Sequence, residues 1–147
     1  MTSAADLEAA STLRRGANRL TRRLRAERPT GALSTSKLAV LADLHRHGER
    51  TPGELAAIQR VQPQSLTRVI AELAQAGLVA RRPDKRDRRQ ARLELTAKGL
   101  DALRADMEVR DRWLAAALTR LTPAESALLY AAGELMERLA EQPSPSD

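Results

Sequence analysis

A mainly α-helical fold carrying one small β-hairpin is the architecture that this chain of 147 residues predicts. Composition points there first. Alanine and leucine dominate, phenylalanine is absent, and Trp113 and Tyr130 are the only aromatic residues, a mixture that suits helices better than sheets. Along most of the chain apolar residues recur three or four positions apart, the period of a helix with one buried face. Only between Leu78 and Thr96 does the pattern change, to two strand-like runs joined by the polar loop PDKRDRR, as a hairpin requires.

Taken in order, the elements are bounded by ordinary start and stop signals. From about Ala5 to Arg28, Leu7, Ala10, Leu13, Ala17, Leu20 and Leu24 share one face, and six arginines between Arg14 and Arg25 take the other; Pro29 and Gly31 end this helix. Ser34 or Thr35 caps a second helix that stops at Gly48. Thr51-Pro52 with Glu54 forms a capping box and opens a short third helix, expected to bury Leu55 and Ile58. Val61-Gln62-Pro63 is a turn, and a fourth helix runs from Pro63 to about Ala76, ended by Gly77. Strands follow at 78–82 and 90–96, the second placing Ala91, Leu93 and Leu95 on one side and Arg92 and Glu94 on the other. Thr96 caps a helix from Ala97 to about Arg120. Thr122-Pro123 with Glu125 is a second capping box and starts the last helix, and residues 142–147 form a polar tail of disordered composition. The whole chain, 1–147, reads as one domain: a winged helix-turn-helix module at about 33–96, with helices at about 5–28 and 97–141 left to pair chains.

Short helix, tight turn and second helix make a helix-turn-helix unit. At about 100° per residue the fourth helix turns Leu66, Val69, Ile70 and Leu73 inward and Gln64, Ser65 and Arg68 outward, with Thr67 on the flank. Gln bonds bidentately to adenine, Arg to guanine, and hydroxyls reach phosphates or base edges; Gln62, at the cap position, joins this set. An ordinary solvated face would also satisfy such residues. Lys85, Arg86, Arg88 and Arg89 in the hairpin loop suit a minor groove, while Asp84 and Asp87 temper the charge and can lock the loop by pairing with its arginines. Charge distribution agrees: residues 59–98 carry a net +6, residues 1–58 +4 and residues 99–147 −4, so the basic excess peaks where phosphates would be met.

Several classes are disfavoured. With no cysteine there is no disulfide framework or thiolate metal site, and His45 and His47, two apart on a helix, do not share a face, so no metal or cofactor is expected. No stretch resembles a signal peptide or approaches the roughly 20 apolar residues of a membrane span, which makes a cytoplasmic protein with no membrane partner the expectation. An enzyme is disfavoured because neither a glycine-rich phosphate loop nor a nucleophile elbow is present.

The helix order, the segment SLTRVIAELAQAGLV, the wing DKRDRRQARLELTAKG and the closing LTPAE resemble the MarR family of winged helix-turn-helix regulators over nearly the whole chain. The resemblance implies a homodimer on a pseudo-palindromic double-stranded operator, repression, and release by a small aromatic or anionic effector. By position it gives Ser65, Thr67 and Arg68 base and phosphate contacts, Arg86 and Arg88 the wing tip, and Asp87 and Arg89 the anchoring of the wing. Leu95, Thr96 and Gly99 match its Leu-Thr-x-x-Gly run. Two positions depart. Gln62 replaces a better cap, and Ala71-Glu72 replaces the commoner acidic-basic pair, so Glu72 either pairs with a wing arginine or weakens phosphate contact. The family's ligand crevice, between the winged module and the terminal helices, has Arg15, Leu38, Leu41, His45 and Trp113 as candidate lining, residues that a plain interdomain core would also contain. A sequence-tolerant architectural DNA binder is the alternative function.

Overall fold

The computed structural model describes residues 3–28, 31–84 and 91–142. It contains six helices and one antiparallel hairpin: α1 (Ala4–Ala26), α2 (Thr35–His47), α3 (Pro52–Gln59), α4 (Pro63–Gln75), β1 (Val79–Pro83), β2 (Ala91–Leu95), α5 (Ala97–Leu118) and α6 (Pro123–Ala140). The element order is the predicted one. Ends differ by a residue or two, as at α1 and α5, where terminal turns lose their intrahelical bonds first. The chain divides into two compact units, one formed by residues 25–109 and the other by residues 1–24 and 110–147.

Local chemistry sets the helix starts of the first unit. Ser34 caps α2 by accepting from the Lys37 amide, and Gly48 ends it at φ +74°. Thr51 accepts from the Glu54 amide at 3.2 Å while the Glu54 carboxylate accepts from the Thr51 amide at 2.7 Å, a closed capping box that satisfies two orphan amides. At α4 the cap is bare: Gln62 makes no side-chain capping bond and Pro63 opens the helix, which removes one orphan amide by having none.

The core of this unit gathers Leu38, Leu41 and Leu44 from α2, Leu55 from α3, Leu66, Ile70 and Leu73 from α4, Leu78, Val79 and Leu93 around the hairpin, and Leu103 from α5. Ala56, not Ile58, is the second buried residue of α3; Ile58 stays 39% exposed. With Leu55 and Ala56 facing the core, helical phase puts Ile58 on the flank of α3, and the helix ends one residue later with Arg60 in the left-handed region. Strands β1 and β2 pair from Val79↔Leu95 to Pro83↔Ala91. Arg50, just before α3, adds a bridge by exchanging both backbone bonds with Leu93, and this ties the hairpin root to the helix-turn-helix.

The terminal unit contrasts with this. Neither α1 nor α6 has a buried residue, although Thr122 and Glu125 close a second capping box. Arg23 lies over the Trp113 ring, 4.9 Å from its centroid, a cation–π contact.

Candidate nucleic-acid interface

The inward face of α4 is settled by burial of Leu66, Ile70 and Leu73, and its geometry then places Gln64, Ser65, Thr67 and Arg68 outward, all exposed. Gln62 is exposed at the cap. The Thr67 hydroxyl donates weakly, at 3.5 Å, to the Pro63 carbonyl one turn back. Ala71 is also exposed, so the middle of the outward face carries only a methyl group.

Among the described residues Glu72 has two cationic partners. Its carboxylate accepts from Arg68 Nε at 2.7 Å and from Lys37 Nζ of α2 at 2.8 Å. Lys37 first, then Arg68, hold its carboxyl below the ordinary carboxylate range, and hydrogen bonding to Glu72 raises Arg68 further.

The C-terminal end of α4 is held by the segment Leu95–Gly99. The Thr96 hydroxyl donates to the Gly77 carbonyl at 2.8 Å and accepts from the Gly99 amide at 3.0 Å, so one side chain closes the turn after α4 and caps α5. Lys98 Nζ donates to the Ala76 carbonyl at 2.8 Å, satisfying an orphan acceptor at a helix C-terminus. A Cβ at Gly99 would stand 2.1 Å from the Leu78 carbonyl oxygen. The Leu-Thr-x-x-Gly run is therefore a clamp that fixes where α4 ends relative to α5.

The hairpin root is anchored by Arg92. Its guanidinium donates to Asp84 at 3.0 Å and to the Glu49 carbonyl at 2.9 Å, with the Glu49 and Glu54 carboxylates within 4 Å. Hydrogen bonding to Asp84 is the main reason that its pKa is raised. Asp84 is nearly buried at 8% exposure, so this carboxylate is spent on the root of the wing. Arg82 pairs with Glu94 across the strands at 2.5 Å. Lys85, Arg86, Asp87, Arg88 and Arg89 lie outside the described residues.

The roles of Lys37, Arg92 and Lys98 emerge only in the folded chain. The pair of Lys37 with Glu72 and the bond from Arg92 to the Glu49 carbonyl join segments far apart in sequence, which no spacing rule connects. Lys98 is the second residue of α5, and its acceptor is 22 residues earlier in the chain.

The expected ligand-crevice residues are placed differently from one another. Leu41 is fully enclosed and Leu38 is 8% exposed, both in the core of the winged unit. His45 is exposed in the last turn of α2. Arg15 and Trp113 belong to the terminal unit, where Arg15 donates to Ser11 and Thr12 of its own helix. Within the winged unit a cleft of about 340 Å³ is lined by Gly31, Ala32, Leu33, Ala102, Ala105, Asp106 and Val109. Beside it Arg28 Nε donates to Asp106 at 2.8 Å, the two side chains only 14% and 7% exposed. Among the described residues no cluster suits a metal ion, and no helix is long and apolar enough to cross a membrane.

Two helices joined by a tight turn, the second presenting a polar face, with a hairpin braced against them, define a winged helix-turn-helix protein. The MarR family profile matches residues 33–91. An uncharacterized HTH-type transcriptional regulator of Mycobacterium bovis, Mb0904, is 39% identical over 137 residues, 93% of this chain and 96% of the relative. The crystal structure of a transcriptional regulator from Pseudomonas aeruginosa superposes with a TM-score of 0.81 at 37% identity, covering 96% of this chain and 99% of that one. The Bacillus subtilis HTH-type transcriptional repressor MdtR is 36% identical over 67 residues, 46% of this chain and 43% of MdtR. The chain belongs to the MarR family of HTH-type transcriptional regulators, a family of regulators and not of enzymes.

Proposed function

We propose that the protein is a homodimeric, sequence-specific DNA-binding regulator, located in the cytoplasm, that represses from a pseudo-palindromic operator. The observation that carries the DNA reading is the exposed face Gln64, Ser65, Thr67 and Arg68 on a helix whose other face is core. Such residues at the N-terminal half of a groove-sized helix meet base edges and phosphates in the major groove. Arg86 and Arg88, with Lys85, extend the contact into a minor groove, and Asp87 and Arg89 steady the loop that carries them.

The terminal unit supports pairing of two copies. Leu128 and Tyr130 are 71% exposed, Leu7 62% and Leu139 53%, large apolar side chains of the kind that interfaces between chains cover. A second copy of the same surface covers it with two-fold symmetry and sets two α4 helices about one turn of DNA apart, roughly 34 Å. Repression is supported by the partial likeness to MdtR. Release by a small aromatic or anionic effector belongs to the same reading, and the cleft beside Asp106 has the volume of a small-molecule pocket. Because Asp106 is already paired with Arg28, an anionic effector would enter by competing for that arginine.

The experiment is a gel-shift titration of the full chain on duplex from its own upstream region, with a growing excess of mixed-sequence DNA. Retention of the upstream complex supports a sequence-specific regulator. Loss of it in proportion to added bulk DNA would make the protein a sequence-tolerant architectural binder instead.

A further inference from the structure

The carboxylate of Glu72 sits between two cations from different helices, 2.7 Å from Arg68 Nε and 2.8 Å from Lys37 Nζ. Arg68 is 90% exposed at its side chain, Glu72 37% and Lys37 26%. Arg68 thus projects from the same outward face as Gln64, and its bond to Glu72 is made through Nε rather than through the two terminal guanidinium nitrogens. Those two nitrogens are the pair an end-on bidentate contact with a guanine edge uses. The three charges together amount to +1, where Lys37 and Arg68 alone would present +2. An ion pair this exposed adds little to folding stability, so its consequence falls on what the face binds.

We propose that Glu72 is a positioning residue that sets specificity: it aims Arg68 at a base edge and removes one phosphate-attracting charge from the reading face. Non-specific binding comes almost wholly from phosphate neutralisation, whereas recognition of a chosen site also draws on base contacts. A carboxylate here therefore weakens binding to arbitrary DNA more than binding to the preferred site. The charge state fits, because Lys37 and Arg68 keep the Glu72 carboxyl ionised well below neutral pH. This inference rests on the reading of α4 as the DNA-facing helix.

The test uses the full chain as wild type, E72Q, R68A and the R68A/E72Q double variant. Each is titrated by fluorescence anisotropy, over a range of salt, against three probes: a duplex that the wild type selects from a random pool, its single-base variants, and mixed-sequence duplex. E72Q should bind mixed-sequence duplex about fivefold tighter, with the salt dependence steeper by about 0.9 in log–log slope, as one added phosphate contact gives. It should also lose discrimination at the base pair where R68A loses it, and the double variant should lose no more there than R68A alone. Thermal melting should show all four folded alike. An unchanged salt slope, or wild-type discrimination in E72Q at the Arg68 base pair, would overturn the proposal while leaving DNA binding intact. A wild type that selects no duplex would overturn the functional reading itself.

Discussion

The two units of this protein are both helical, yet they differ in how much their own chain buries. In the winged unit Val40, Leu41, Leu55, Leu73 and Leu93 are completely enclosed, and the buried carboxylates Asp84 and Asp106 are paired with Arg92 and Arg28. In the terminal unit α1 and α6 form from good helix residues and, for α6, a closed capping box, but no residue of either is buried. Local signals suffice to start a helix. Burial is a separate matter that needs an opposing surface, and on α6 this falls to a second copy in the reading proposed above.

That contrast can be broken most severely in the core. Leu41→Ala should cost about 3 kcal/mol through lost transfer energy and a residual cavity, read as a drop in the urea midpoint of the same size at every protein concentration. Leu128→Glu should also lower the midpoint, but by an amount that grows as protein concentration rises, since it removes stabilisation that comes from association. If the two losses depended on concentration alike, the units would not differ in the way described. Next in size is Gly99→Ala. The new Cβ cannot coexist with the Leu78 carbonyl at 2.1 Å, so α5 must move off the end of α4 at a cost of about 2 kcal/mol, and DNA affinity should fall with stability. Thr51→Ala removes the acceptor for the Glu54 amide and should cost about 1 kcal/mol by the same denaturation measurement.

The smallest expected effect is on pH dependence. The folded-state pKa of Glu72 is depressed by Lys37 and Arg68, so its contribution is fully present above its unfolded value and is lost as pH falls through the folded one. The thermal midpoints of wild type and E72Q should accordingly converge on acidification from neutral pH to below the carboxylate range. A gap that widened instead would show that the contact is not ionic in origin.

What was legible in the sequence follows from the range of the interactions. Ser34, Thr51 and Thr122 announce helix starts because a cap acts over three residues, and Gly48 and Gly77 announce stops for the same reason. The inward set Leu66, Ile70 and Leu73 follows from helical period alone. Ile58 departs from the expected face because periodicity over eight residues fixes a face only loosely, and with Leu55 and Ala56 inward the helical phase carries Ile58 to the flank. Glu72 could not be assigned, since Lys37 reaches it only once α2 and α4 pack. Arg92 was read correctly as opposite in face to Leu93, but its grip on Asp84 and on the Glu49 carbonyl joins segments that spacing cannot connect. The Leu-Thr-x-x-Gly run could be matched by resemblance, whereas its reason, the close approach of Gly99 to Leu78, appears only in three dimensions.

A homodimeric regulator sets two copies of the chain on one stretch of duplex. Multi-angle light scattering of the complex with a selected duplex weighs that assembly. A mass of two chains on one duplex is expected, and two chains also in the free protein at micromolar concentration. One chain per duplex, with a monomeric free protein, would contradict it.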